Sequence, residues 1–123
     1  MIDIHSHLVP GVDDGSQSIE ESLRLLKQAE IEGITEIITT PHYMKNGDFR
    51  TKAAELVQRF NALKETYQGT IKLHLGNELY IHPDLPELLE QGEILTLAES
   101  NYILVEFPFH EYKEDYDEIL YEL

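Results

Sequence analysis

The sequence contains no cysteine. Without thiols it cannot form disulfides, thiolate zinc fingers, iron–sulfur clusters or a cysteine nucleophile. It also has no apolar run near the ~18 residues that a membrane-spanning helix needs, and Met1–His5 lacks the basic and apolar regions of a signal peptide. We therefore expect a cytoplasmic protein without membrane insertion.

Positive charge is scarce. Nine Lys and Arg stand against 24 Asp and Glu, which gives a formal net charge of −15. Such a surface repels phosphate backbones and anionic membranes, so a nucleic-acid-binding module is excluded. The 123 residues and 41% apolar content are those of one ordinary globular domain. We predict a single domain over residues 1–123.

Strand-like and helix-like patterns alternate along the chain. The predicted strands are Met1–His5, Ile34–Thr39, a third with alternating Ile71, Leu73 and Leu75 that ends near Gly76–Glu78, and Tyr102–Phe107. The predicted helices run from Ser18 to Gly33, over Ala53–Tyr67, over Pro83–Gln91 and over Lys113–Leu123. This order predicts an α/β fold with a parallel sheet. Four strands are few for such a sheet, and Ile119, Leu120 and Leu123 have no later element to pack on, so the chain resembles half of a larger unit.

Residues that can carry chemistry cluster at the predicted strand ends. They are His5 and His7 after the first strand, His42 after the second, Glu78 at the end of the third, and Glu106 and His110 at the end of the fourth. Because parallel α/β folds bind ligands at the carboxyl ends of their strands, we expect these side chains to share one rim.

The sharpest local signal is His5-Ser6-His7. In an extended segment two residues apart point to the same side, so both imidazoles can reach one metal ion. Asp14, with Asp13 beside it, lies in the loop that follows. A nitrogen and oxygen site favours Mn, Fe or Zn.

Simpler interpretations stay open for several of these residues. The His5–His7 pair could be solvated, and His42 could only cap a strand. Glu106 could ligate a metal or hydrogen-bond to the ligands from outside. His74 and His82 are expected to lie outside the site.

Five segments resemble, in order, the start of a PHP (polymerase and histidinol phosphatase) domain. They are Asp3-Ile4-His5-Ser6-His7, Val12-Asp13-Asp14-Gly15-Ser16, Thr39-Thr40-Pro41-His42, Gly76-Asn77-Glu78 and Ile103-Leu104-Val105-Glu106-Phe107. The chain is most similar to the bacterial manganese-dependent protein-tyrosine phosphatases of capsule and exopolysaccharide operons, the CpsB/CapC type. The resemblance covers all 123 residues.

This resemblance implies a distorted (β/α) barrel of PHP type, of which the chain forms about the first half. Family members are about twice as long, and their second half completes the metal site. We therefore expect the chain to be truncated at its C-terminus, to bind metal weakly and to turn over little substrate unless another chain supplies the rest.

The resemblance also implies the ligands and the ions. His5 and His7 bind one metal, Glu78 bridges to a second, and Asp14 and His42 bind a third. His110 is the candidate for a further histidine at the second metal. Up to three ions are expected, with Mn²⁺ favoured and Fe or Zn as alternatives.

The activity implied is the hydrolysis of phosphotyrosine in proteins by a metal-activated hydroxide. Lys45 and Arg50 either hold the phosphate or are ordinary surface charges. The implied partner is a tyrosine-phosphorylated, capsule-regulating autokinase, and a homo-oligomer stays open. The alternatives are a histidinol-phosphatase-like phosphomonoesterase of small molecules and a non-catalytic metal-binding module.

Overall fold

A computed structural model describes residues 1–108 and 115–123 of the chain. Its strands are β1 (Ile2–Asp3), β2 (Glu36–Thr39), β3 (His42–Tyr43), β4 (Lys72–Leu75), β5 (Glu78–Tyr80) and β6 (Leu104–Glu106). Its helices are α1 (Ile19–Ile31), α2 (Ala53–Thr66), α3 (Leu85–Glu90) and α4 (Asp115–Glu122), with a 3-10 turn at Leu97–Glu99. The predicted α/β class with parallel strands is confirmed.

The strands form two sheets of three, in the orders β1-β2-β4 and β3-β5-β6, and every pairing is parallel. The prediction of one sheet with four strands is therefore wrong. The second predicted strand ends at Thr39, as β2 does, whereas the third was predicted to run on to Gly76–Glu78 and β4 ends at Leu75. The prediction missed two further strands, which begin at His42 and at Glu78. Glu78 thus opens β5 instead of closing the third predicted strand. The barrel that the resemblance implies stays a prediction.

Two short breaks, Thr40-Pro41 and Gly76-Asn77, carry the chain from the first sheet to the second. The partners Thr39 and Leu75 before the breaks, and His42 and Glu78 after them, have the same separation of 36 residues along the chain. The register of β2 with β4 therefore continues in β3 with β5. The two chain segments pass from the first sheet to the second at the same register position.

Local chemistry explains the breaks. Pro41 cannot donate to a ladder, and its carbonyl accepts from Glu78 N at 3.0 Å and from Asn77 Nδ2 at 3.0 Å. A Cβ atom at Gly76 would lie 2.9 Å from Leu97 Cδ2 and 3.1 Å from Leu97 Cα. Glycine is needed there because the 3-10 turn packs directly on the break.

Each sheet has its own apolar core. The helices α1 and α2 cover the first sheet through a cluster that includes Leu26, Ile37, Leu56, Phe60 and Leu73, and the predicted apolar face of α2 is buried as expected. The second sheet packs through other buried residues, which include Tyr43, Leu79, Leu85, Leu88 and Ile94.

The C-terminal helix is not without partners. Ile119 and Tyr116 of α4 form a small buried cluster with Ile81, and Leu123 packs against it. The partners of Ile119 and Leu123 therefore come from an earlier part of the chain, which the prediction of a missing later element did not consider. Leu120 is exposed. Within residues 1–108 and 115–123 no helix is both long and apolar enough to cross a membrane.

Candidate metal centre

Two buried threonines at the end of β2 hold the His5-Ser6-His7 segment in place. Thr39 Oγ1 accepts from Leu8 N at 3.0 Å, and Thr40 Oγ1 accepts from Ser6 N at 3.2 Å. Both hydroxyls also donate to Ser6 O, which receives Thr40 N as well at 2.6 Å. These bonds keep the segment alongside β2, with His5 and His7 directed toward the same acidic partner.

Three imidazoles converge on one carboxylate oxygen. Glu78 Oε2 lies 3.0 Å from His5 Nε2, 3.1 Å from His7 Nε2 and 3.3 Å from His42 Nδ1. The Glu78 residue is only 7% exposed, and His7 stacks on His42 with ring centroids 4.5 Å apart. The structure thus brings together four of the residues singled out by sequence.

Asp13 lies behind these rings and is fully surrounded. Its carboxylate accepts from His7 Nδ1 at 3.0 Å, from His42 N at 3.0 Å and from Gly15 N at 2.9 Å. Because a carboxylate only accepts, His7 Nδ1 carries the hydrogen, and Nε2 of the neutral ring presents a bare lone pair to Glu78. Two lone pairs facing each other at 3.1 Å need a proton or a cation between them.

The same contacts shift the pKa values of this pair. The hydrogen bond to Asp13 raises the pKa of His7 above its ordinary value, although partial burial opposes the change. Burial alone would raise the pKa of Asp13, but hydrogen bonds from His7, His42 and Gly15 outweigh it and hold that pKa below its usual range. Asp13 is therefore a carboxylate at neutral pH.

Gly15 lets the loop that carries Asp13 close over His7. A Cβ atom at Gly15 would lie 2.4 Å from His7 Cβ and 2.6 Å from His7 O, distances that no packed side chain tolerates. Ser16 N donates to the same His7 carbonyl at 3.1 Å. The loop and the histidine are thus fitted to each other at the backbone.

A second space for a cation lies between His42 and Glu106. His42 Nδ1 and Glu106 Oε2 are 3.4 Å apart, and among the described residues neither buried atom has a hydrogen-bond partner. Leaving two such atoms unsatisfied is costly. A divalent ion bound to His42, Glu78 and Glu106 would satisfy both.

Within the described part of the chain, three sets of side chains could each hold one ion. Their ligand atoms lie within 4.8 Å of one another, and the sets are His5–His7–Glu78, His7–Asp13–His42 and His42–Glu78–Glu106. Imidazole nitrogen with carboxylate oxygen is a donor set that suits Mn, Fe or Zn. The residues therefore fit a divalent metal centre at the junction of the two sheets.

Of the other predicted residues, only Asp14 has a contact with this centre among the described residues. The Asp14 side chain is 70% exposed and its Oδ1 is 3.5 Å from His42 Nε2, on the nitrogen that faces away from Glu78. Lys45 lines a cavity of about 220 Å³ beside His82, and Arg50 is exposed. His110 falls outside the described residues.

The two remaining histidines, His74 and His82, have other partners. His74 Nε2 lies 3.1 Å from Glu36 in the first sheet. His82 contacts Asn46 and accepts from Asp84 N. Neither belongs to the three ligand sets.

The sequence analysis assigned no role to Asp13, to Thr39 and Thr40, or to Phe49. No local pattern tells which of the two adjacent aspartates is buried and which is exposed. Two hydroxyls at the end of an apolar strand were a usable signal, because buried hydroxyls need partners. Phe49 stacks on His42 at 5.9 Å between centroids, a contact across a polar loop that spacing does not predict.

Comparison with known proteins places this centre in context. The capsular polysaccharide synthesis family CpsB/CapC matches residues 1–123. The chain belongs to the CpsB/CapC family. Tyrosine-protein phosphatase CpsB of Streptococcus pneumoniae is 40% identical over 113 residues, which cover 89% of this chain and 46% of that protein. Tyrosine-protein phosphatase YwqE of Bacillus subtilis (strain 168) is 33% identical over 126 residues, which cover 100% and 49%.

A solved structure supports the same assignment. It comes from work on YwqE of Bacillus subtilis and CpsB of Streptococcus pneumoniae, described as unique metal-dependent tyrosine phosphatases. This CpsB/CapC chain matches it with a TM-score of 0.84 and 31% identity, over 99% of this chain and 50% of that one. The chain spans about half the length of the curated relatives that it matches.

Proposed function

We propose that this chain carries the metal-binding part of a manganese-dependent protein-tyrosine phosphatase that acts in capsule or exopolysaccharide synthesis. The convergence of three imidazole nitrogens within 3.3 Å of Glu78 Oε2 supports the proposal most directly. The names of the related CpsB and YwqE proteins support the reaction.

The proposed ligands follow the geometry and the family resemblance. His5 and His7 would hold one ion with Glu78, and Glu78 and Glu106 a second. Asp14 and His42 would hold a third through His42 Nε2, with the hydrogen of His42 Nδ1 then facing Glu78 and Glu106. His110 is proposed for the second ion. The unit over residues 1–123 is proposed as the first part of a PHP-type barrel, because among the described residues its two sheets end at strands paired on one side only, β1 and β4 in one sheet and β3 and β6 in the other.

When bound, divalent ions supply a hydroxide nucleophile near neutral pH and draw charge from the phosphate oxygens. The chain's residues prepare the site for this. Asp13 fixes His7, the threonines fix the segment that carries His5, and Phe49 covers one face of His42.

The negative charge of the chain means that a phosphate substrate can bind only when cations are present at the site. A dianionic phosphate is repelled by a chain with a net charge of −15 unless cations neutralise the carboxylates around the site. Lys45 and Arg50 in the loop after His42 are proposed to add positive charge at the phosphate.

The proposed partner is a tyrosine-phosphorylated autokinase that regulates capsule synthesis. Such a kinase is phosphorylated where ATP is present, so the cytoplasm is the proposed location. A homo-oligomer is part of the proposal, because a second copy could cover the open sheet edges at β1 and β6.

The test combines metal binding with turnover. The purified chain is titrated with Mn²⁺, Fe²⁺ and Zn²⁺ by calorimetry and then assayed on a phosphotyrosine peptide, on p-nitrophenyl phosphate and on histidinol phosphate. We expect saturable binding and slow hydrolysis of the phosphotyrosine peptide that chelation abolishes and Mn²⁺ restores. The His42→Ala variant should bind fewer ions per chain and lose hydrolysis, whereas His74→Ala, a histidine paired with Glu36 instead, should keep the wild-type number of ions and the activity.

Hydrolysis that survives exhaustive chelation would contradict the proposal. A preference for histidinol phosphate would replace it with a phosphatase of small molecules. Tight metal binding without any hydrolysis by the chain would indicate a metal-binding module.

A further inference from the structure

We propose that Asp13 is a positioning residue that sets the tautomer of His7 and the place of His42, and that it is not a metal ligand. The inference rests on the proposed metal centre. Geometry alone leaves the question open at first, because Asp13 lies close enough to His7 and His42 to join a ligand set with them.

Counting lone pairs separates the two roles. A carboxylate oxygen has about two sites for hydrogen bonds. Asp13 Oδ2 already accepts from His7 Nδ1 and from the backbone N–H of His42, both at 3.0 Å. Asp13 Oδ1 accepts from Gly15 N at 2.9 Å. Oδ2 therefore has no site left, and Oδ1, which has one, belongs to a side chain without exposed surface on which an ion could bind.

Asp14 shows the opposite environment one residue later. Its side chain is 70% exposed, and Oδ1 lies 3.5 Å from His42 Nε2. The two neighbouring carboxylates therefore have different roles. Asp14 is available to an ion, whereas Asp13 holds the His7 ring and the backbone of His42. Outer partners of this kind orient metal-binding histidines and fix their tautomer.

The consequence concerns which nitrogen of His7 faces the metal. With Nδ1–H donated to Asp13, Nε2 presents its lone pair toward His5 and Glu78, 3.3 Å and 3.1 Å away. An amide at position 13 sets its NH₂ group either against Gly15 N–H, or against His42 N–H and the His7 ring. In the second arrangement His7 avoids the conflict by moving its proton to Nε2, which then cannot bind a metal. Alanine at position 13 removes the acceptor altogether, so nothing there holds the His7 proton on Nδ1.

Nitrogen-15 NMR of the histidine rings tests the tautomer directly. The metal-free chain is measured at alkaline pH, where the neutral rings dominate, alongside Asp13→Asn, Asp13→Ala and the matched neighbour Asp14→Ala. We expect His7 to be the Nδ1–H tautomer in the wild type and in Asp14→Ala, to lose that preference in Asp13→Ala, and to lose part of it in Asp13→Asn. A wild-type His7 with its hydrogen on Nε2 overturns the inference, even if both Asp13 variants fail to fold.

Mn²⁺ titration by calorimetry supplies the second measurement. In Asp13→Asn the number of bound ions should stay that of the wild type while affinity falls about 10- to 100-fold. Asp14→Ala should bind fewer ions per chain than the wild type. If Asp13→Asn loses an ion while His7 keeps its tautomer, Asp13 is a ligand and the inference is wrong; unchanged affinity and tautomer also overturn it. A wild type that binds no metal contradicts the proposed function, and the tautomer then decides the inference by itself.

Discussion

At the scale of single residues, the site depends on Glu78, whose carboxylate faces three imidazoles. It is buried and stands at the first position of β5. The three imidazoles around it can each carry a proton or bind a cation. Metal binding should therefore depend on Glu78.

Replacing Glu78 with Gln keeps the volume and removes the charge. We expect Mn²⁺ affinity to fall by more than the roughly 10- to 100-fold cost of losing an outer partner, measured by calorimetry. Glu36→Gln is the matched control, because Glu36 also faces a histidine, His74, but only one. Equal affinity in Glu78→Gln and wild type would contradict the assignment.

Thr39 gives a second prediction at this scale. Thr39→Val keeps the shape but leaves Leu8 N without its acceptor, so we expect a loss of about 1–3 kcal/mol in the free energy of unfolding. Thr35→Val, at an exposed position whose hydroxyl bonds to Met1 O, should cost less. Urea denaturation of both variants measures the difference, and equal losses would count against the role of Thr39.

Sequence reasoning reached part of the site at this scale and missed part. The alternation in His5-Ser6-His7 placed two imidazoles on one side, and the structure has them 3.3 Å apart. The burial of Asp13 could not be foreseen, because it depends on the backbone of His42, which is distant in sequence. Gly15 belongs to one of the family-like motifs, but its close approach to His7 exists only in the folded loop.

At the scale of elements, helices were predicted better than strands. The capping residue Ser18 and the apolar spacing of α2 are local signals, and both helices formed as expected. The strands β3 and β5 have two and three residues, too few for a period to be seen. Whether the chain resumes a strand after Pro41 depends on its pairing with Glu78, which no local pattern contains.

A surface contact ties the end of α1 to the end of α2 and the start of β4. Tyr67 donates its hydroxyl to Glu30, Thr70 N donates to Glu30 at 2.9 Å, and Ile71 N donates to the Tyr67 oxygen at 3.0 Å. The hydrogen bond from Tyr67, then that from Thr70, lowers the pKa of Glu30. Solvent screens this exposed group, so its contribution is small.

Glu30 should make stability depend on pH in the acid range. Because its folded pKa is lowered, its contribution is present above the unfolded pKa and is lost as pH falls through the folded pKa. We expect Glu30→Gln to lower Tm slightly at neutral pH and the difference to vanish in acid. In a Tyr67→Phe background the effect of Glu30→Gln should shrink. A Tm difference that persists in acid would contradict this linkage.

At the scale of the whole molecule, the candidate centre joins the two sheets. His5 and His7 follow β1 of the first sheet, whereas His42, Glu78 and Glu106 belong to strands of the second. Each sheet has a separate core. A bound ion therefore adds a link between the two sheets to those already made by the strand breaks and by the hydrogen bond from His42 N to Asp13.

Metal binding should raise the stability of the entire chain. At a Mn²⁺ concentration of 100 times Kd, linkage predicts about 2.7 kcal/mol, read as a rise in Tm by calorimetry that a chelator reverses. His42→Ala should reduce the rise, because it removes a ligand of one of the proposed ions, and His74→Ala should retain the rise in full. An equal rise in both variants would mean that the ion binds elsewhere.

The shared level of the two strand breaks has a consequence for how this sequence can change over evolutionary time. Side chains in a strand alternate between faces, so one inserted residue turns every following side chain to the other face. An insertion at Thr40-Pro41 alone would turn His42 away from Glu78, and one at Gly76-Asn77 alone would turn Glu78 away from His42 and put the preceding residue in its place. Homologues should therefore accept length changes in the loops before α2 and β4, while these two dipeptides lengthen or shorten only as a pair.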